Sequence, residues 1–274
     1  MCELDNCLAN RPPASVISQK ERRLFMAGVV ALPLATILAD AGLAHAQAKR
    51  GETISQTLAD GREIKGYLAR NTNPNAPVVV LIHEWWGLND QIKAMAVEVS
   101  QHGFHALAID LFAGSVATDR AGALAQIGAM DADEAKATIA HWLAWARANG
   151  NGNGKVATLG WCFGGGWSLQ SALLDQNLDA AIIYYGRVDV TPQDLATLNT
   201  PLLGHFATQD ASINAAMVEG FEANLKRAGK ADLLTRYWYD AGHGFANPSG
   251  GRYDREDTQL AWQRTHAFLR EHLL

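Results

Sequence analysis

The feature of this sequence that most constrains its fold is a repeated alternation between short apolar runs and longer segments with helical spacing. The run APVVVLIHE at 76–84 is almost continuously apolar, as a parallel strand buried on both faces requires. The next segment, NDQIKAMAVEVSQHG, has apolar residues at helical spacing, an N-cap candidate at Asn89 or Asp90 and a terminating Gly103. A chain that repeats this order buries its strands in one sheet between layers of helices.

The same alternation continues to the C-terminus. Apolar runs predict strands at 105–111, 155–161, 180–186, 201–207 and 231–240, and helical patterns lie at 131–150, 163–174, 213–229 and 257–274. Two further runs, 53–58 and 63–70, flank Asp60-Gly61, which is a hairpin turn signal. We therefore predict an α/β fold with a mostly parallel central sheet, helices on both faces and an antiparallel N-terminal edge. No internal repeat or long linker divides residues 49–274, which we expect to form a single domain.

Residues 1–48 differ from the rest and predict a bacterial export signal. They contain a basic region, an apolar stretch and small-residue cleavage signals that end at Ala46 or Ala48. The pair Arg22-Arg23 before Leu24-Phe25 resembles a twin-arginine signal. We expect cleavage after Ala46 or Ala48 and a periplasmic or secreted mature protein. An amphipathic helix or an uncleaved anchor is the alternative.

Charge and cysteine content narrow the possible partners. Pro33 and Asp40 interrupt the apolar stretch, so stable membrane insertion after cleavage is not expected. The net charge of −5 argues against a nucleic-acid partner. Of the three cysteines, Cys2, Cys7 and Cys162, only Cys162 would survive cleavage, so it has no partner for an internal disulfide. Its thiol is either buried and inert or present for its reactivity.

The sequence around Cys162 predicts a nucleophile. Gly160-Trp161-Cys162-Phe163-Gly164 is a G-x-C-x-G motif between a predicted strand and a predicted helix, the context of a nucleophile elbow. The tight turn needs glycines because side chains there would collide with the crossing backbone. A helix N-terminus also favours a thiolate. The alternative is a core cysteine at a glycine-rich turn.

Two residues further along the chain could complete a catalytic triad. Asp210 follows the strand at 201–207, and His243 lies in a glycine-flanked loop after the strand at 231–240. The order Cys162, Asp210, His243 is that of α/β-hydrolases. Asp210 would fix the tautomer of His243 and stabilise its charged form. Asp210 could instead be a helix N-cap, and Asp240 is a weaker candidate for the acid.

A third set of residues follows the strand at 76–84. Glu84 ends that strand, where an α/β-hydrolase builds half of its oxyanion hole from backbone N–H groups. By position, the N–H groups of Trp85 and Phe163 are the candidates. Glu84 could also be a helix-entry acid or a solvent-facing loop residue. His83-Glu84 is not a zinc motif, because Gly87 stands where H-E-x-x-H requires histidine, and we expect no metal and no cofactor.

The motifs HEWWGLN, AIDLF, GWCFGGGWS, AIIYYG and AGHGFAN together resemble the dienelactone hydrolase (carboxymethylenebutenolidase) family of the α/β-hydrolase superfamily, from about residue 50 to the end. The resemblance implies that Cys162 is the nucleophile, His243 the base and Asp210 the orienting acid. It also implies that Glu84 contacts the resting thiol and that Tyr185 lies in the substrate pocket.

The chain departs from this family at the positions that bind the substrate carboxylate. Members that cleave dienelactone carry two arginines where this chain has Gly114 and Asn247, and Gly244 replaces a serine. Arg120 could approach from the same loop as Gly114. The resemblance therefore supports a cysteine hydrolase and leaves its substrate undefined.

From these residues we expect hydrolysis of a small ester or lactone through a thiol-ester intermediate. The substrate pocket is expected to include four residues beside the catalytic set: Trp86, Phe112, Tyr185 and Asn247. The mature protein is expected to be a monomer, although an oligomer is compatible with the sequence. One alternative is an exported binding protein that has lost turnover on the same fold. Thiol redox chemistry ranks last, because the mature chain has no second cysteine to act as a resolving partner.

Overall fold

The computed structural model of the protein describes residues 17–149 and 154–274. Eight strands form one sheet: β1 (Glu52–Thr57), β2 (Glu63–Ala69), β3 (Val78–Ile82), β4 (His105–Ile109), β5 (Val156–Trp161), β6 (Ala180–Tyr184), β7 (Leu202–Ala207) and β8 (Leu234–Tyr239). The helices of the described residues are α1 (Gln19–Met26), α2 (Leu34–Ala39), α3 (Ala41–Gln47), α4 (Asp90–Gln101), α5 (Arg120–Ala129), α6 (Ala132–Asn149), α7 (Phe163–Leu174), α8 (Ala215–Arg227) and α9 (Arg255–Leu273).

The sheet has the order β1-β2-β4-β3-β5-β6-β7-β8. β2 is antiparallel to both β1 and β4, and all strands from β4 to β8 run parallel. The predicted α/β fold with an antiparallel N-terminal edge is therefore confirmed. In the parallel part Ile82 pairs with both Ile109 and Gly160, so β3, β4 and β5 end at the same edge of the sheet. That edge carries the residues predicted to be catalytic.

Helices cover both faces of the sheet. On one face, Met95 of α4 and Leu269 of α9 pack against alternate residues of the strands. On the other face, Trp142 of α6, Leu169 of α7 and Phe221 of α8 pack against the remaining strand residues. Burial of each such side chain contributes about 1.5–3 kcal/mol relative to exposure. Because both faces are buried, the central strands are predominantly apolar, which explains the runs in the sequence.

Within the predicted domain 49–274, one helix of the described residues was not predicted. α5 lies between β4 and α6, begins after Asp119, whose side chain caps Gly122 N–H, and buries Ala123 as its single fully covered side chain. Its sequence, RAGALAQIGA, contains two glycines and has no continuous apolar stripe. The helix therefore forms at the surface without the periodic apolar pattern that predicts a helix.

The N-terminal segment packs on the domain as α1, α2 and α3. Phe25, Leu38 and Leu43 are buried against the face that contains α4, and Gln91 of α4 donates a hydrogen bond to the carbonyl of Leu38 at 2.9 Å. Residues 1–16, including Cys2 and Cys7, lie outside the described residues. No helix in the described ranges is long and apolar enough to span a membrane. Export and cleavage of residues 1–48 stay a prediction.

Candidate active site

The turn between β5 and α7 presents Cys162. β5 ends at Trp161 and α7 begins at Phe163, and Cys162 between them has a φ of 53° and a ψ of −113°. A side chain at Gly160 would collide with the carbonyl of Gly164, and one at Gly164 would collide with the carbonyl of Ile82. The glycines therefore let the turn pass close to its neighbours, and the strain at Cys162 is held by the surrounding structure.

Cys162, His243 and Asp210 lie in one hydrogen-bonded chain. The Sγ of Cys162 is 3.1 Å from Nε2 of His243, and Nδ1 of His243 is 2.6 Å from Oδ2 of Asp210. The second carboxylate oxygen of Asp210 accepts the backbone N–H groups of Ser212 and Ile213 at 2.8 and 2.9 Å. Both oxygens of Asp210 are thus used, one to hold its own loop and one to orient the imidazole. This geometry is that of a nucleophile, a base and an orienting acid.

The two alternatives for the acid are resolved by the same contacts. Asp240 is exposed and bonds to Thr208 and Gln209, not to His243. The N-cap of α8 is Asn214, whose side chain accepts the N–H of Met217. Asp210 therefore lies beside His243 rather than at a helix start.

The charge around His243 controls its protonation. Burial lowers the pKa of His243, but the hydrogen bonds to Asp210 and Cys162 and their negative charges outweigh burial and raise that pKa to about 10. Burial likewise raises the pKa of the Asp210 carboxyl, and the hydrogen bond and charge of His243 outweigh it, so the pKa of Asp210 is lowered. The arrangement favours an imidazolium held between a carboxylate and the sulfur.

Glu84 is buried close to this chain of residues. Its Oε2 accepts a hydrogen bond from Nδ2 of Asn247 at 2.6 Å. Burial raises the pKa of Glu84, and the charges of His243 and Arg252 together with the Asn247 bond oppose it in part. Among the described residues, the hydrogen bond of the thiol goes to His243 and that of the carboxyl to Asn247. In the described chain no hydrogen bond joins Glu84 to the thiol, and the contact that the resemblance implied stays a prediction.

Two backbone N–H groups are available near Cys162. Phe163 is the first residue of α7, and Trp85 lies in the turn after β3. Within the described ranges, neither N–H is paired with a backbone acceptor. A helix N-terminus leaves its first N–H groups free for an anion. Phe163 is at such a terminus and Trp85 is not, and the assignment of both N–H groups to an oxyanion hole stays a prediction.

The site opens into a cavity of about 870 Å³. Trp86, Tyr185 and Asn247 line it, as predicted from the sequence. Phe112 is not among the lining residues of the described chain, because its ring packs against His83 and Phe163, with centroid distances of 4.8 and 5.0 Å. The cavity walls are mainly aromatic and aliphatic side chains: Trp85, Trp86, Phe163, Trp167, Ile127, Val190 and Ile213. In the described part of the chain, no group of three or more His, Cys, Asp or Glu side chains is placed to hold a metal ion.

Comparison with known proteins identifies the family. The family model of the dienelactone hydrolase family matches residues 64–273. The chain belongs to the dienelactone hydrolase family. It is a hydrolase of the carboxylic-ester class to which that family belongs. Carboxymethylenebutenolidase 1 of Cupriavidus pinatubonensis is 27% identical over 227 residues, which cover 78% of this chain and 94% of that protein. Protein usf of Aquifex pyrophilus is 30% identical over 226 residues, which cover 78% of this chain and 96% of that protein.

A solved structure supports the fold of this dienelactone hydrolase family member independently. A dienelactone hydrolase-like promiscuous phosphotriesterase from metagenomic libraries superposes with a TM-score of 0.72 at 22% identity. The match covers 82% of this chain and all of that one. At this identity the likeness concerns the α/β-hydrolase fold alone.

The arginines of the cavity were only partly anticipated. Gly114, at the position of one expected arginine, does not line the cavity in the described chain, but Arg120 does and lies 6.0 Å from the ring of Trp85. Arg187 also lines it and is paired with Asp189. Arg252 was missed, although its charge lowers the pKa of Glu84. No motif marks Arg252, because its loop reaches the cavity only through the tertiary fold.

Proposed function

We propose that this protein hydrolyses an ester or lactone of a small substrate with Cys162 as the nucleophile, through a thiol-ester intermediate. The observation that carries the proposal is the 3.1 Å contact between Sγ of Cys162 and Nε2 of His243, whose other nitrogen is bonded to Asp210. This contact lies at the floor of a cavity large enough for a small ester.

The first half of the reaction forms the thiol ester. The sulfur of Cys162, its proton held by His243, attacks the carbonyl carbon, and the π electrons of the carbonyl move to oxygen. The N–H groups of Trp85 and Phe163 stabilise this oxyanion, each contributing about 3–4 kcal/mol in comparable cases. The tetrahedral intermediate then collapses, the C–O bond breaks, and the leaving oxygen takes the proton from Nε2 of His243.

The second half releases the acid. Neutral His243 removes a proton from water as the water oxygen attacks the thiol-ester carbon. The C–S bond breaks when the second tetrahedral intermediate collapses, which regenerates the sulfur anion beside the imidazolium. Asp210 stabilises the positive charge of His243 in both halves. We assign the thiol proton to His243 because the carboxyl of Glu84 is engaged by Asn247.

The residues that line the cavity indicate the class of substrate. Its aromatic and aliphatic walls favour an ester with an aromatic or branched apolar group. The carboxylate-binding arginines expected for dienelactone are replaced by Gly114 and Asn247. We therefore propose aryl esters and apolar lactones as substrates in preference to dienelactone.

The test is a kinetic comparison of the wild type with Cys162→Ala and Cys162→Ser on a panel of aryl esters, thioesters and lactones. We expect a burst of the aryl alcohol from the wild type, an acyl adduct on Cys162 by mass spectrometry, no turnover by Cys162→Ala and weak turnover by Cys162→Ser. Undiminished hydrolysis by Cys162→Ala would overturn the assignment. Absence of both turnover and adduct across the panel would favour a non-catalytic binding protein.

We also propose export through the N-terminal segment, on the basis of Arg22-Arg23 and the signals ending at Ala46 and Ala48. Cell fractionation followed by N-terminal sequencing tests this. A periplasmic chain that begins at Gln47 or Lys49 supports the proposal. A cytoplasmic chain that keeps α1 to α3 contradicts it.

A further inference from the structure

The peptide that joins Glu84 to Trp85 is held at its carbonyl oxygen by two hydrogen bonds. The carbonyl oxygen of Glu84 is 2.7 Å from Nδ1 of His83 and also accepts the N–H of Gly87 at 3.2 Å. No peptide bond of the described residues is cis, and in a trans peptide the N–H points away from the C=O. Since His83 is fully buried and Trp85 lines the cavity with Cys162, an N–H on the side of this peptide opposite to the His83 ring can face the cavity.

The hydrogen bonds of His83 define its tautomer. Its Nε2 lies 3.1 Å from the backbone nitrogen of Leu111, an N–H donor, so Nε2 is the acceptor and Nδ1 carries the hydrogen that Glu84 receives. Burial lowers the pKa of His83, which keeps the ring neutral. His83 has no exposed surface and does not line the cavity of the described chain, so it does not touch substrate.

The same ring also contacts the residue that supplies the second N–H. The rings of His83 and Phe163 are nearly parallel, with centroids 5.8 Å apart. Phe112 packs on His83 at 4.8 Å and on Phe163 at 5.0 Å, which restrains both rings. The imidazole of His83 therefore bonds to the Glu84–Trp85 peptide and stacks on the side chain of Phe163. These two segments are far apart in the sequence, so no local turn could hold them together.

We propose that His83 is a positioning residue that orients the Trp85 N–H in the oxyanion hole and sets its place relative to the Phe163 N–H. The inference rests on the proposed function, because it needs an oxyanion to form at Cys162. Its physical basis is that a donor helps catalysis only when it is already aimed at the place where charge develops. Without the Nδ1–H bond, the Glu84–Trp85 peptide keeps only the longer bond from the N–H of Gly87, at 3.2 Å, and its N–H is then less firmly aimed.

Two amide variants separate the two hydrogen bonds of His83. His83→Asn places an amide N–H₂ where Nδ1–H stands and retains the donor to Glu84. His83→Gln places its amide oxygen near the position of Nε2 and retains the acceptor for Leu111 instead.

For His83→Gln we expect kcat to fall roughly 10²–10³-fold, the usual loss for one oxyanion donor, with KM within about twofold of the wild type. We expect the kcat of His83→Asn to be at least about tenfold higher than that of His83→Gln.

Two further measurements distinguish positioning from a general loss of structure. Addition of the Cys162 sulfur to an aryl trifluoromethyl ketone creates an oxyanion, so its Ki should rise by the same factor as kcat/KM falls in His83→Gln. Alkylation of Cys162 by iodoacetamide forms no oxyanion, and its rate should change by less than about twofold. His105→Gln is the matched control, because His105 is a buried histidine in β4 that bonds Asn71 and Pro74 outside the cavity. It should lower the melting temperature and leave kcat unchanged.

Three results would overturn the inference: wild-type kcat in His83→Gln, equal losses in the two amide variants, or alkylation that slows as much as kcat. These outcomes are separable from failure of the proposed function. If Cys162→Ala still turns over ester, the function itself is wrong, and if Cys162→Ala is inactive while His83→Gln keeps kcat, the inference alone is wrong.

Discussion

Two histidines of this protein, the fully buried His205 and the partly buried His243, have pKa values shifted in opposite directions. His205 lies in β7, with Nδ1 2.8 Å from the hydroxyl of Tyr239 and Nε2 3.0 Å from the hydroxyl of Thr265. His243 lies in the turn after β8, between Asp210 and Cys162. Burial lowers the pKa of His205 to about 3, helped by the positive charge of Arg264, whereas the pKa of His243 is raised to about 10.

The contrast indicates that charged partners can outweigh the effect of burial on the protonation of a histidine. Both rings lose most of their hydration, which disfavours the charged form of each. His243 has the carboxylate of Asp210 and the sulfur of Cys162 as partners that compensate, while His205 has neutral hydroxyls. His205 therefore belongs to a hydrogen-bonded part of the core, and His243 has the charge and the cavity access that proton transfer requires.

The largest expected effect comes from replacing each of the two histidines by glutamine. His243→Gln should reduce kcat/KM by roughly 10⁴-fold or more, since the base is lost. His205→Gln should leave kcat/KM of the folded protein within about threefold of the wild type, because its side chain is remote from the reacting atoms. Steady-state hydrolysis of an aryl ester, normalised to folded protein by circular dichroism, measures both. A comparable loss of kcat/KM in His205→Gln would show that the two histidines do not differ in their roles as stated.

The second prediction concerns the negative charge of Asp210, which His243 has as a partner and His205 does not. Asp210→Asn should lower kcat by roughly 10³–10⁴-fold, as in other triads whose acid is neutralised. The variant gives His243 a neutral partner, as His205 has, so the pKa of His243 should fall. Proton NMR of the histidine ring signals over a pH series measures the change. An unchanged pKa of His243 would show that Asp210 is not the source of the upward shift.

A smaller effect concerns the core network around His205. Thr265 bonds both Nε2 of His205 and the hydroxyl of Tyr184, at 3.0 and 2.7 Å. Thr265→Val keeps the shape and leaves these two buried groups without that partner, so we expect the free energy of unfolding to fall by about 1–3 kcal/mol. Urea denaturation measures it, and kcat should stay at the wild-type value. Lost turnover with unchanged stability would contradict the structural role.

The last comparison is the pH dependence of stability, which should have opposite signs for the two rings. The pKa of His205 is about 3 when folded and 6.5 in its ordinary state, so its contribution is complete above pH 6.5 and is lost as pH falls toward 3. The pKa of His243 is about 10 when folded, so its contribution is complete below pH 6.5 and is lost as pH rises toward 10. Each slope is at most about 1.4 kcal/mol per pH unit.

Urea titrations between pH 4 and pH 9 measure these slopes in the wild type and in the two glutamine variants. His205→Gln should flatten the acidic side of the stability curve, and His243→Gln should flatten the alkaline side. If the variants change the curve on the same side, the opposite charge states of the two rings are not what the structure indicates.

Local sequence patterns predicted the strands and most helices correctly. The apolar runs that became β3, β5 and β7 are each buried throughout, and that burial produces the pattern from which they were identified. The order Cys162, Asp210, His243 was sufficient to locate the triad, because parallel strands end at a common edge. Helix α5 was missed, since a surface helix with few buried residues leaves little periodic signal.

The contacts that refine the site could not be predicted from local patterns. Glu84 is bonded to Asn247, which is 163 residues away in the chain, and not to the thiol. Phe112 packs behind the cavity wall, and Arg252 reaches the cavity from a loop without a recognisable motif. Each of these depends on how distant segments pack and on which side chains exclude water, which no short window of sequence contains.

By itself, the sequence determined the family, the fold and the identity of Cys162, Asp210 and His243 as the residues to be brought together. Periodicity and glycine placement encode those features locally. Only the tertiary structure decided which histidine has a raised pKa and which a lowered one, and which ring bonds the carbonyl of the Glu84–Trp85 peptide. Those properties arise from the charges, hydrogen-bond partners and burial that the packed chain creates around each group.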